Sequence, residues 1–113
     1  MRRISTPVAA VMLLAAACAG SPPEVPLGSD GTADPVLLVG RGIYDGSCKS
    51  CHGAKGDGGA GPRLNSGDLD EDFPELIDLA EFISSGRKRM PSFGSRLSEE
   101  QITAVARYVR EVL

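Results

Sequence analysis

Cys48-Lys49-Ser50-Cys51-His52 gathers two of the three cysteines and the only histidine into five consecutive residues, and a glycine-rich run from Gly53 to Pro62 follows. Two thiols, an imidazole and bare backbone in one place admit four chemistries: a structural zinc site, a redox dithiol, a phosphate loop, or covalent attachment of haem. A structural zinc ion usually takes four Cys or His ligands, and the remaining candidate, Cys18, lies far upstream. A thioredoxin-like dithiol expects a βαβ setting, and the chain shows no convincing strand pattern. A phosphate loop needs a Gly-Lys-Ser/Thr ending between strand and helix. A plain disulfide leaves His52 and the glycines unexplained. C-x-x-C-H is the haem c attachment pattern. Cys48 and Cys51, three residues apart on a helical turn, can each form a thioether to one vinyl group of a porphyrin. His52 then lies under the iron as an axial ligand.

Composition narrows the other axial position. No second histidine exists, and Met1 and Met12 fall in a segment expected to be removed, which leaves Met90. It stands in "GRKRMPSFG", between two helical patterns, where a core-filling role suits it poorly. Pro91 restricts Met90 to extended backbone. Met90 is therefore expected as the distal ligand, the alternatives being an open or a lysine-ligated iron. A thioether favours Fe(II) and raises the reduction potential relative to bis-histidine ligation.

Three helices must position these groups. Asp34-Pro35 reads as an N-cap and first helical residue. A helix from Pro35 to about Asp45 would place Val36, Val39, Gly40, Ile43 and Tyr44 near one face. Asp72 and Glu75 have capping-box spacing, with Pro74 in the first turn. Leu76, Leu79, Ala80 and Ile83 then follow helical periodicity, and Gly86 marks the stop. Ser98 and Gln101 form a second capping box, with Leu97 and Ile102 as a hydrophobic staple. Ile102, Val105, Ala106, Val109 and Val112 line one face of the last helix. The expected architecture is all-α, with long loops at 53–71 and 87–97 that need something to pack against.

The chain's 113 residues suffice for one domain, and aromatic residues make up only 4%. So lean a core usually needs a staple such as a metal or cofactor. The N-terminus reads as a targeting segment: Arg2 and Arg3 precede an apolar stretch from Val8 to Ala17, too short to span a bilayer. The small residues before Cys18 resemble the bacterial lipoprotein signal. That resemblance implies a signal peptide over 1–17 and a lipidated Cys18. The alternative is an ordinary secretory signal cleaved near Ala17 or Ala19. Residues 18–34 have linker composition. A flexible chain of that length spans about 20–25 Å. The domain is expected over 35–113.

The formal net charge is −3, and removal of Arg2 and Arg3 makes it more negative by two. That balance does not suggest a nucleic-acid binder. Asp68, Asp70, Glu71, Asp72, Glu75, Asp78 and Glu81 form an acidic sector that reads as solvated surface. Arg87, Lys88, Arg89 and Arg96 flank Met90 and could steer an acidic partner.

Residues 35–113 resemble the class I bacterial cytochromes c. The likeness rests on "GRGIYDGSCKSCHG", "GAKGDGGAGPRL" and "MPSFGSRLSEEQITAVARYVR" in that order. It implies a compact helical fold of three main helices, with long loops wrapped around one covalently bound haem c. It also implies a tight crossing of the first and last helices at Gly40, Tyr44, Val105 and Tyr108. By position, the Pro62 carbonyl would accept a hydrogen bond from His52 and orient its ring. The glycines of 53–61 would let backbone lie against the porphyrin edge. The function implied is electron carriage rather than enzymatic turnover, by an exported lipoprotein anchored to a membrane and facing the periplasm or cell exterior. Its partners would be redox proteins such as a dehydrogenase, reductase or terminal oxidase. The chain would act as a monomer or as a haem subunit of one oxidoreductase complex. An open-site haem sensor or enzyme is the remaining alternative.

Overall fold

The computed structural model describes residues 20–113; the expected signal segment and Cys18 lie outside them. The element order is α1 (Pro35–Ser47), α2 (Lys49–His52), α3 (Leu69–Asp72), α4 (Leu76–Ser85) and α5 (Glu99–Glu111). Among the described residues there is no strand, only two isolated bridges, Leu27 with Ala33 and Arg87 with Met90. The all-α expectation holds, and helix α5 is its centre, packing on both α1 and α4.

Helix α5 starts as its sequence dictates. The Gln101 backbone N–H donates to Ser98 Oγ at 3.2 Å, and the Ser98 N–H donates to Gln101 Oε1 at 2.9 Å. These two bonds satisfy groups that a helix start otherwise leaves without partners. Ile102, Val105, Ala106, Tyr108 and Val109 are buried behind that cap. Full burial of a side chain such as Val105 stabilises the fold by roughly 1.5–3 kcal/mol.

Helix α1 begins where expected, with the Val36 N–H donating to Asp34 Oδ1 at 2.8 Å. Its buried face differs from the expected one. Leu37, Gly40 and Tyr44 are buried, whereas Val36 and Val39 are exposed. The cause is Gly40. A methyl group there would lie 2.2 Å from the Ala104 carbonyl oxygen and 2.8 Å from Tyr108 Cβ. Only glycine allows this approach, and the contact sets the rotation of α1. The contact falls on Ala104 and Tyr108, while Val105 is buried beside it. Tyr44 and Tyr108 meet at the same crossing, their ring centroids 5.7 Å apart.

Helix α4 starts one turn later than the expected cap at Asp72. Glu75 is its N-cap, and the Glu75 N–H donates to Asp78 Oδ2 at 3.1 Å. Asp72 instead ends α3, a single turn that periodicity did not reveal. Phe73 follows α3 as its C-cap and pairs with Phe82, ring centroids 5.1 Å apart. The Phe73 carbonyl accepts from Arg110 Nη2, which ties this corner to α5. Leu79, Ala80 and Ile83 are buried as expected.

The segment expected as a flexible linker is the main correction. Pro22 and Val25 are buried. Arg41 donates from Nε to the Pro23 carbonyl and from Nη2 to the Pro22 carbonyl, both at 3.0 Å. Tyr108 Oη donates to the Pro23 carbonyl at 2.6 Å. A turn at residues 28–32 then leads into α1. Proline-rich chain is already extended and presents unpaired carbonyls. Two donors from α1 and α5 meet those carbonyls.

Candidate functional site

The motif sits at the junction of α1 and α2. Cys48 closes α1 with its N–H on the Tyr44 carbonyl at 3.0 Å. The Cys51 and His52 N–H groups donate to the Cys48 carbonyl at 3.2 and 3.0 Å. The pentapeptide is therefore one helical turn, the local geometry that puts the two sulfurs and the imidazole on neighbouring sides. Lys49 pairs with Asp45 one turn earlier and braces that junction.

His52 is only 8% exposed, and its Nδ1 lies 2.8 Å from the Pro62 carbonyl oxygen. A carbonyl only accepts, so Nδ1 carries the proton and donates it. The tautomer thus leaves Nε2 with a free lone pair, the form a metal-ligating imidazole needs. The loop that delivers Pro62 is fixed by main-chain bonds to the motif. The Gly58 N–H donates to the His52 carbonyl at 2.7 Å, and the Gly61 N–H to the Cys51 carbonyl at 2.8 Å. A methyl group at Gly61 would stand 3.0 Å from His52 Cε1 and 3.1 Å from Nδ1. Gly61 makes room for the imidazole itself. Asn65 closes the loop, donating from Nδ2 to the Lys55 carbonyl and to Asp57 Oδ1.

The thiols are both free, Cys48 half-buried and Cys51 exposed. Burial, then the neighbouring Cys51, pushes the Cys48 thiol up to about 11. A redox dithiol of the thioredoxin kind depends on a depressed thiol, so this environment argues against that chemistry. Among the described residues no three His, Cys, Asp or Glu side chains converge as a metal-ion site. The free thiols, the fixed imidazole and the glycine-lined loop fit covalent haem.

Met90 comes from the other side of the sequence. It is half-buried and packs on the same apolar cluster as Cys48 and Leu64. Its backbone is held by two reciprocal bonds with Arg87, at 3.1 and 3.0 Å. The Phe93 and Gly94 N–H groups donate to the Ile83 and Ser84 carbonyls at the end of α4. Ser92 Oγ donates to the Ser84 carbonyl at 2.6 Å. The Met90 segment is thus a braced turn on α4. The structure brings Cys48, Cys51, His52 and Pro62 together in one loop and holds Met90 in a second; Cys18 lies outside the described residues.

Tyr44 was expected only at the helix crossing. Its hydroxyl also donates to the Gly53 carbonyl at 2.7 Å and so holds the first residue after the motif. Burial raises the ionisation of both Tyr44 and Tyr108, so both remain donors across the ordinary pH range. A tyrosine placed one turn before Cys48 was the available signal for this bond.

The fold and the motif define a class I monohaem c-type cytochrome. The sequence profile of the family described as "Cytochrome C oxidase, cbb3-type, subunit III" matches residues 36–109, and the chain belongs to that cytochrome c family. Similar curated proteins include cytochrome c6 of Gloeothece citriformis, 36% identical over 76 residues, spanning 64% of this chain and 67% of the relative. Cytochrome c6 of Microcystis aeruginosa is 38% identical over 72 residues, spanning 62% and 89%. The crystal structure of cytochrome c6 from the diatom Phaeodactylum tricornutum superposes with a TM-score of 0.57 at 32% identity, covering 65% of this chain and 88% of that one. The cofactor is covalently bound haem c, whose attachment pattern Cys48, Cys51 and His52 fit.

Proposed function

We propose that the chain is an extracytoplasmic one-electron carrier with His/Met axial ligation. Bound haem c supplies an iron that accepts and releases a single electron. Cys48 and Cys51 would hold the group through thioethers, and His52 Nε2 and Met90 Sδ would ligate its iron. Pro62 orients His52 through the Nδ1 bond and increases its basicity. The observation that carries this reading is that 2.8 Å bond in a C-x-x-C-H turn, which leaves one imidazole nitrogen free. The braced Met90 turn supports the second ligand, since a weak thioether needs a preset approach. No substrate bond is made or broken. Residues 1–17 act as the export signal, and Cys18 carries the lipid that holds the domain to a membrane. Among the described residues no helix is long and apolar enough to cross one. Arg87, Lys88, Arg89 and Arg96 are exposed, and none of the described ion pairs uses them. They face solvent beside Met90 and suit the acidic surface of a redox partner.

The test is the oxidised spectrum. A sulfur-to-iron charge-transfer band near the red edge that disappears in Met90→Ala supports the ligand pair. Its absence from the wild-type protein sinks it and favours an open-site haem protein. The family description names an oxidase subunit, which favours a second reading in which the same chemistry serves one permanent complex. Copurification with a large oxidoreductase subunit would select that reading; a freely exchanging monomer selects the first.

A further inference from the structure

Residues 20–34 have the composition of a linker and the contacts of a structural element. They precede residue 36, where the family match begins. Arg41 spends its guanidinium on them, reaching Glu24 Oε1 at 2.7 Å as well as the Pro22 and Pro23 carbonyls. Tyr108 spends its hydroxyl on Pro23, and Val25 is only 6% exposed. The order of contacts gives the direction. Gly20 lies against Ala54, a methyl group there reaching 3.5 Å from Ala54 Cβ. Pro22 to Glu24 follow at Arg41, and Asp34 caps the start of α1 while pairing with Arg107 at 3.0 Å. The segment therefore runs antiparallel to α1, from the motif end of the helix back to its first residue. Tyr108 links it to the site: its ring meets Tyr44, whose hydroxyl holds Gly53.

We propose that residues 20–34 are a rigid mount that fixes the domain's orientation on a lipid surface, with the Ala54–Lys55 loop toward the bilayer and the outer face of α4 away from it. This rests on the lipidation of Cys18 proposed above. Only Ala19 separates Cys18 from Gly20, so chain length alone holds them within about 7 Å. A free linker would instead let the domain wander over about 20–25 Å in any orientation. Helix α4 packs on α5, whereas the mount follows α1, so exposed Glu81 on α4 serves as the reference position. A mounted carrier presents one constant face to partners in or on the same membrane. A tethered one searches with all of its faces.

The experiment uses the full holoprotein in vesicles of phosphatidylcholine and phosphatidylglycerol. Cys48, Cys51 and Cys18 are consumed by haem and lipid, so Lys55→Cys or Glu81→Cys supplies a single thiol for a bulky, membrane-impermeant maleimide. The Lys55→Cys thiol should react several-fold more slowly in vesicles than in detergent, and the Glu81→Cys thiol equally fast in both. Adding Arg41→Ala and Tyr108→Phe should release the mount and abolish the difference. Equal behaviour of the two thiols, in protein whose Cys18 carries lipid by mass spectrometry, overturns the mount. A Cys18 without lipid overturns the anchoring reading and the bilayer orientation with it. The mount is then read separately from backbone relaxation of Val25. An order parameter equal to that of α1 supports it, and one below about 0.6 overturns it.

Discussion

Replacing Gly40 by alanine tests the packing that sets α1 against α5. The added methyl would lie 2.2 Å from the Ala104 carbonyl oxygen, 2.8 Å from the Ala104 carbonyl carbon and 2.8 Å from Tyr108 Cβ. Carbon-to-oxygen contacts normally close no nearer than about 3.3 Å, so the helices must part by roughly 1 Å. Neither neighbour can step aside cheaply, because one is α5 backbone and the other is a buried tyrosine tied through its hydroxyl to Pro23. Overpacking of a filled core costs about 1–3 kcal/mol, and the stiffness of both neighbours places this site toward the upper end. Better helix propensity offsets roughly 1 kcal/mol of that. The expected net loss is about 1–2 kcal/mol. Gly42 is the internal control: it lies in the same helix with no atom within 4 Å of an added methyl. There alanine should gain about 0.5–1 kcal/mol through the helix and the unfolded chain. Guanidinium unfolding of the two holoproteins, followed by far-ultraviolet circular dichroism, should separate them by about 1.5–3 kcal/mol. Equal midpoints for the two alanine variants would refute the close-crossing argument.

Met90→Ala should lower the midpoint potential as well as remove the charge-transfer band, since the soft ligand that favours Fe(II) is gone; an unchanged potential by redox titration counts against Met90. Cys48→Ser with Cys51→Ser should leave the domain largely unfolded, because so lean a core depends on its covalent group; full native helicity without haem would refute this. Asp34 has a second, pH-dependent signature. The Val36 N–H, then the Arg107 side chain, hold its carboxyl below the ordinary 3.8. A depressed folded value contributes stability that is present above 3.8 and lost as pH falls through the lower folded value. Asp34→Asn keeps a capping side chain but removes the ionisation, so its unfolding midpoint should fall less steeply than wild type below about pH 4. Parallel acid limbs for the two proteins would exclude Asp34 as a contributor.

The site was largely legible because its chemistry is local. C-x-x-C-H places Cys48, Cys51 and His52 within one helical turn, and the proposal of Met90 for the second position rests on a single histidine and one usable methionine. The ends of α1 and α5 were legible for the same reason: Asp34-Pro35 and Ser98-x-x-Gln101 cap their own neighbours. What was missed depends on partners distant in sequence. The rotation of α1 is set by the Ala104 carbonyl, and apolar periodicity cannot tell Leu37 from Val36 without it. The α4 cap moved to Glu75 because α3 takes the preceding turn and Arg110 fixes the Phe73 carbonyl between them. The 20–34 segment looked mobile because prolines, glycines and aspartates carry no periodic signal, and its two donors, Arg41 and Tyr108, lie on α1 and α5. An arginine one residue after Gly40 was a hint that something polar lies across that helix.

These contacts make the imidazole orientation a property of the whole fold. Gly40 lets α1 approach α5 closely enough for Tyr44 to be fully buried against Tyr108. Burial keeps the Tyr44 hydroxyl protonated, and it donates to the Gly53 carbonyl, the first group after His52. From Gly53 the loop is bonded back to the His52 and Cys51 carbonyls, and so delivers the Pro62 carbonyl to Nδ1. A shift of α1 relative to α5 must therefore reach the His52 ring through the Tyr44–Gly53 bond or break that bond. A shift that reaches the ring changes the Nδ1 bond and with it the electron density at Nε2. Stability at the helix crossing and tuning of the ligand are thus two consequences of one close contact between helices.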